Sequence, residues 1–518
     1  MIISKRIKPA RGDFNWRMIA VFLLSAIPLI GWGLCRGTMG ATIVDTQVFW
    51  DWTIISVVAS LVILFSLKGE VESRAHLWVI YLTYLIGHYV QFYALLYWNS
   101  KGSDNILLIL SRHNQSLQLS SALLLNIYRI SSVGLCALAI SFLLNRNFLP
   151  LSQPKRHRHT LVNILNAGKP TASDKFNCFP STALSPVAPR SVQKSLTNYA
   201  IAIASIAVLL LVLTVYFRVG ARIDNITGVG RVRLPFRLNG IITYSNRLLI
   251  PSIMLMLIYV SDVFRSRKSL RIAIWTYFLQ ALLLSLISTS RSPVIVALFS
   301  FATVSIFSKT LTKSRIIGLL SAAASLPLLF GIVTTLRFMR GVGEVGNLAN
   351  LAGAFSTVIS GEQGLAPKYL FFLMTRINGI DTLINIETFK SVLGDKHLLD
   401  LVVESKFDLG NIYTSHIIEN TNLGFGASPG LTGALSMLSS NPWMIFLGVV
   451  FHVLLWHVLF LAFSRLKLRT KPMALAQVSI LAGFYTSAGT FDKIPYHIAL
   501  TVGIVFLCER IVKVFIGK

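Results

Sequence analysis

Three stretches, Ile241–Val263, Ile272–Ser290 and Ile316–Leu336, dominate what this chain can become. Each approaches or exceeds the roughly 20 apolar residues that a helix needs to cross a bilayer. In lipid every backbone N–H and C=O must be bonded internally, which leaves only helices or a closed barrel. The alternating strand pattern of a barrel is absent from the sequence. Charged residues make up 13% of the chain, against about a quarter in soluble domains, so most of it lacks a solvated face. The expected fold class is all-α, a polytopic integral membrane protein. About twelve transmembrane helices are expected, at residues 17–35, 50–68, 77–98, 118–144, 199–217, 241–263, 272–290, 293–308, 316–336, 443–463, 473–489 and 496–514.

Charge tests that count. Lys and Arg outnumber Asp and Glu by 48 to 20, for a formal net charge of +28. In a soluble protein this excess would point to nucleic acid. Here the positive-inside bias of a multispanning chain accounts for it, and no nucleic-acid partner is expected. The segments after the even spans are all basic: Lys68 to Arg74, Arg146 to Lys194, Arg265 to Arg271, Lys309 to Arg315, and Arg465 to Lys471, with Lys513 and Lys518 in the tail. Both termini are therefore expected on the cytoplasmic side. The basic N-terminal tail before the first apolar run imitates a signal peptide, but no small-residue cleavage site follows, so an uncleaved span is expected. Cys35, Cys136, Cys178 and Cys508 show no CxxC spacing, and neither a disulfide framework nor a metal site is implied.

The chain divides into a four-span region at 1–145, a basic Pro-rich cytoplasmic linker at 146–198, and a five-span region at 199–336. A large external loop subdomain at 337–441 and a three-span C-terminal region at 442–518 follow. Two external segments depart from the charge rule. The loop 218–240 should face outward, yet it carries Arg218, Arg222, Arg231, Arg233 and Arg237 against a single Asp224 and no lysine. Arg247 follows, about two turns into an apolar helix. Arginine grips phosphate oxygens bidentately where lysine is a point charge, so this density points to an anionic ligand such as a diphosphate. Anionic lipid headgroups are the competing ligand, and snorkelling to the interface the competing account of Arg247. Arg291, in the tight Ser288-Thr289-Ser290-Arg291-Ser292-Pro293 hairpin, is expected at the same mouth.

The second departure runs from Arg337 to Asn441 without a credible span, and holds nine of the chain's twenty acidic residues. Loops this long are usually functional. Helical periodicity at Lys368–Leu383 and His397–Phe407 predicts a partly helical cap. Its polar and ring-bearing candidates are Arg337, Arg340, Arg376, Asn378, Asp381, Tyr413, His416, Glu419 and Asn420.

At these residues the sequence resembles the oligosaccharide repeat-unit (O-antigen) polymerases of the Wzy type. The resemblance lies in an ordered set: Arg237-Leu238-Asn239-Gly240 then Arg247 and Pro251; Thr289-Ser290-Arg291; Arg337-Phe338-Met339-Arg340-Gly341; Arg376-Ile377-Asn378-Gly379-Ile380-Asp381; and Pro429-Gly430-Leu431-Thr432-Gly433. It covers residues 200–490, and the Arg-(ten residues)-Gly spacing of some members is missing. The resemblance implies a C-type glycosyltransferase-like bundle in a bacterial cytoplasmic (inner) membrane. It implies metal-independent glycosyl transfer between undecaprenyl-diphosphate-linked oligosaccharides at the periplasmic face, without cofactors, and a polysaccharide chain-length regulator as partner beside membrane lipid. Arginines would neutralise the diphosphate leaving group, and a positioned base would take the acceptor hydroxyl's proton. His416 is the first candidate base and Glu419 the second. A ligase moving finished glycan to another lipid would use the same parts. A lipid-oligosaccharide flippase would need charges lining a cavity through many helices, whereas the spans hold chiefly Arg129 and Arg247. His88, His452, His457 and His497, scattered singly in spans, are expected to make structural hydrogen bonds rather than couple protons.

Overall fold

The structure is a computed structural model. It describes residues 46–67, 74–94, 121–147, 190–216, 242, 245–287, 292–308, 310, 312–341, 379–417, 428–466, 468 and 470–516. Among these the chain is helical, with no strand. The bundle begins with α1 (Gln47–Ser66), α2 (Ala75–Tyr84, continued by a π turn, Leu85–Val90), α3 (Ser121–Asn147) and α4 (Arg190–Val215). A π turn, Ser245–Leu249, leads into α5 (Ile250–Val263), followed by α6 (Arg267–Ile287), α7 (Ser292–Phe307) and α8 (Lys313–Gly341). A group of short helices comes next: α9 (Ile380–Leu393), α10 (Asp395–Glu404), α11 (Leu409–Ile412, running into a π turn, Tyr413–Ile417) and α12 (Leu431–Leu438). The chain closes with α13 (Pro442–Arg465), α14 (Lys471–Ala488) and α15 (Ile494–Ile516).

Each expected span from the second to the twelfth falls on a helix, and the first lies outside the described residues. Among the described residues seven helices are long and apolar enough to cross a membrane: α1, α3, α4, α6, α8, α13 and α15, while α5 and α7 are apolar but shorter. Three boundaries differ from the sequence expectation. The linker yields to helix at Arg190, not at residue 199. α8 continues through Gly341, so Arg337 and Arg340 end a helix and do not open a loop. In the cap the first described helix is Ile380–Leu393, ten residues past the predicted end at its far side, because Gly394 at φ +83° stops it there. Glycine alone enters that backbone region without a Cβ clash.

Local chemistry explains the ends. Thr46 Oγ1 accepts from Phe49 N at 3.3 Å at the start of α1, and Asn441 Oδ1 from Trp443 N at 3.0 Å at the start of α13. Such caps satisfy N–H groups that have no partner within the helix. α14 is capped from another helix. The buried Glu509 carboxylate of α15 accepts from both Thr470 N and Thr470 Oγ1 at 3.0 Å, an anion at the positive end of a helix.

Contacts sort the helix ends into two groups. In one, Arg74 reaches the Ser66 carbonyl, His76 Nε2 meets His457 Nδ1 at 2.9 Å, and Phe460 stacks on His76 and touches Phe307. Arg315 clasps Asp262 with both guanidinium nitrogens at 3.0 and 3.1 Å, and Ser261, Ser269 and the Leu196 carbonyl are linked. This end carries the basic turns around Arg74, Arg265, Arg315 and Arg465. At the opposite end Thr53, Tyr93 and Tyr128 share hydroxyl contacts, Tyr128 lying 3.0 Å from each of the other two, while Phe92 stacks on the Tyr128 ring at 4.3 Å. There too Asn246 donates to Thr214 Oγ1 at 2.8 Å. Helices α9 to α12 sit on this second end.

Candidate functional site

The short helices form a subdomain with its own small core of Ile386, Leu398, Val402, Leu409, Ile412, Tyr413, Ala434 and Met437. Polar attachments seat it on the bundle. The buried His88 imidazole, on the π turn after α2, bridges Ser131 Oγ of α3 at 3.2 Å and Thr432 Oγ1 of α12 at 2.9 Å. Gln91 Oε1 accepts from Ile380 N at 3.0 Å at the start of α9. Gly430 N donates to the last carbonyl of α14, Ala488, at 3.3 Å.

Ions clasp α9 to α12 and to α3. Lys390, buried on α9, has three donors and spends each on a partner: Glu387 Oε1 at 3.1 Å, Ser436 Oγ at 2.8 Å and Ser440 Oγ at 2.9 Å. Both serine hydroxyls donate in turn to a carboxylate. Ser436 donates to Glu387 Oε1 at 2.5 Å, and Ser440 to Asp395 Oδ1 at 2.7 Å. Glu387 Oε2 accepts from Asn126 Nδ2 of α3 at 3.1 Å. The network is closed, so Glu387 is an anchor joining the subdomain to α3 and not a base waiting for a proton. Glu387 and Lys390 are legible in the sequence as an i, i+3 pair, but Ser436 and Ser440 stand 46 and 50 residues from Lys390. No local pattern links them.

Of the sequence candidates, His416 is exposed on the π turn that ends the small core, three residues after Tyr413. Tyr413 itself is buried and its hydroxyl accepts from Asn385 Nδ2 at 3.1 Å, so it is a core residue and not an exposed ring. Asp381 Oδ1 accepts from Gly379 N at 3.1 Å and shapes the entry to α9. Arg247 lies on the π turn before α5, and Arg337 and Arg340 lie near the end of α8; the structure describes their backbone and not their side chains. Arg218, Arg222, Arg231, Arg233, Arg237, Arg291, Arg376, Asn378, Glu419 and Asn420 lie outside the described residues. Arg129, counted from sequence among the charges inside the bundle, is exposed on α3. Its position on the outward side of that helix was not readable from an apolar run.

π turns are rare insertions that concentrate at functional sites, because they re-aim side chains within an otherwise regular helix. Three of them carry His88, Arg247 and His416, and their helices share the end that bears the subdomain. The span histidines are all partnered: His88 as above, His452 with Thr486 at 3.1 Å, His457 with His76, and His497 with the Tyr485 hydroxyl at 2.6 Å.

Nothing among known family models, characterised proteins or solved structures matches this chain.

Among the described residues no group of three or more His, Cys, Asp or Glu is arranged to hold a metal ion.

Proposed function

We propose that the chain polymerises lipid-diphosphate-linked oligosaccharide repeats by glycosyl transfer at the outer face of a bacterial cytoplasmic membrane. One observation carries this reading. An acid-rich subdomain bearing the exposed His416 is seated on the bundle end opposite the basic turns. The Arg-rich segment 218–240 is bounded at that same end by the bonded pair Thr214 and Asn246. The positive-inside rule makes the basic end cytoplasmic, so donor and acceptor lipids would meet the arginines and the subdomain outside. In this scheme the arginines bind two diphosphates and neutralise the leaving group. His416 takes the acceptor hydroxyl's proton, with Glu419 as the alternative base. Holding and polarising are sufficient chemistry, because the sugar arrives already activated by its diphosphate.

A deletion strain scored for surface glycan tests the reading. One repeat left on the lipid core indicates a lost polymerase. Loss of all repeats indicates a ligase or flippase and overturns the proposal.

A further inference from the structure

The subdomain does not cover its own apolar surface. On α10 the small core takes Leu398 and Val402, but Leu399 and Val403, one residue on from each, are exposed, Val403 at 58%. Phe407 extends the stripe beyond the helix at 53% exposure, and Val392 at the end of α9 stands 73% exposed. Lys406 and Phe407 both hold left-handed backbone, φ +56° and +64°, a conformation unfavourable for a bulky side chain. The turn they form closes α10 through Lys406 N to Val403 O at 3.0 Å and Phe407 N to Val402 O at 2.9 Å. That pair of bonds usually brings the second residue's side chain back onto the helix, yet the Phe407 ring remains half exposed.

The first residue of α10 is tied to the approach to α13. Asp395 Oδ1 accepts from Ser440 Oγ at 2.7 Å, two residues before α13 begins. α13 is one of the long apolar helices, and its opening turns expose Trp443, Met444, Leu447 and Phe451. A tryptophan at a span's first turn marks the headgroup level. The exposed stripe of α10 therefore starts beside the point where α13 would enter lipid. Lys396, Asp400 and Glu404 occupy the flank of α10 away from the core and carry no positive excess. Apolar contact, and not attraction to anionic headgroups, is what this helix offers.

We propose that α10 lies in the membrane–water interface, with Leu399, Val403 and Phe407 inserted among lipid chains. An amphipathic helix in that position buries its apolar face to the headgroup–acyl boundary. The subdomain would then be fixed at the height where lipid-linked groups emerge. This inference needs α13 to cross a bilayer, but it does not depend on glycosyl-transfer chemistry.

The test uses the full chain with its four cysteines replaced by alanine, and single cysteines at Leu399, Val403, Glu404 or Phe451. Each carries an environment-sensitive dye and is reconstituted in phosphatidylcholine vesicles. Lipids bearing a nitroxide near the headgroup or in mid-chain, and aqueous iodide, serve as quenchers. The shallow nitroxide should quench Leu399 and Val403, the deep one Phe451, and iodide Glu404. Labels on these exposed positions remove no core contact, and two stripe positions guard against one failing to insert. If iodide quenches Leu399 and Val403 as strongly as Glu404, the stripe faces water and the proposal fails. If both quenchers miss them, protein covers the stripe, and the lipid assignment is equally wrong. A Phe451 label untouched by either nitroxide would instead overturn the spanning of α13.

Discussion

Arg237 and Arg247 are the residues on which the diphosphate reading stands or falls. Replacing either with alanine is expected to abolish polymer while membrane-inserted protein persists, and lysine should rescue poorly because it lacks the planar fork. Normal polymer from the lysine variants would reduce both to point charges. For His416→Ala, chain extension in a purified assay should fall at least about 100-fold, the lower range for loss of a general base, with lipid-diphosphate binding retained. Near-full activity there, together with a dead Glu419→Gln, would assign the base to the carboxylate. Lys390 offers a stability test. Lys390→Met leaves the largely but not fully buried Glu387 carboxylate with one partner fewer, and breaking a buried pair from one side costs up to about 3–5 kcal/mol. The double variant Glu387→Gln, Lys390→Met should recover much of that loss in thermal unfolding. A double variant no more stable than the single one would mean the two are not energetically paired.

Among the elements, the subdomain keeps a small core of its own, while Ile380, Leu383 and Ile384 of α9 and Leu431 of α12 pack into the bundle core; His88, Gln91, Glu387 and Gly430 add polar links. Leu398→Ala removes buried volume only from the smaller core, at about 2–5 kcal/mol. Hydrogen exchange should accelerate across α9 to α12 while α3 and α13 stay protected; uniform acceleration would make the two a single cooperative unit. Backbone approach is equally specific. Gly489 sits at φ +64°, and a Cβ there would run into the Gly430 carbonyl. Gly379 likewise abuts the backbone of Gly87. Small residues permit this closeness where lipid provides no hydrophobic drive between helices.

At the scale of the whole molecule the prediction is topological. A reporter active only outside the cytoplasm should give signal when fused after Gly364 and none after Lys169. The reverse pattern would invert every assignment of face. The residues that decide this are legible in the sequence, because each basic turn biases its own segment during insertion. Helix was likewise settled by sequence alone, since an apolar segment in lipid has no other means of bonding its backbone. Candidate chemistry was legible only as residue type. The density of arginine in 218–240 and the presence of His416 in a long loop came from the sequence, and most of those positions lie outside the described residues. What tertiary structure alone decided is who meets whom. It buried Tyr413 and exposed Arg129, closed the Lys390 clasp across 46 and 50 residues, and bridged Ser131 to Thr432 through His88. Transfer into lipid is a property of each segment and is written locally. Packing between distant helix ends depends on the shapes of both partners at once, and no single stretch of the chain contains it.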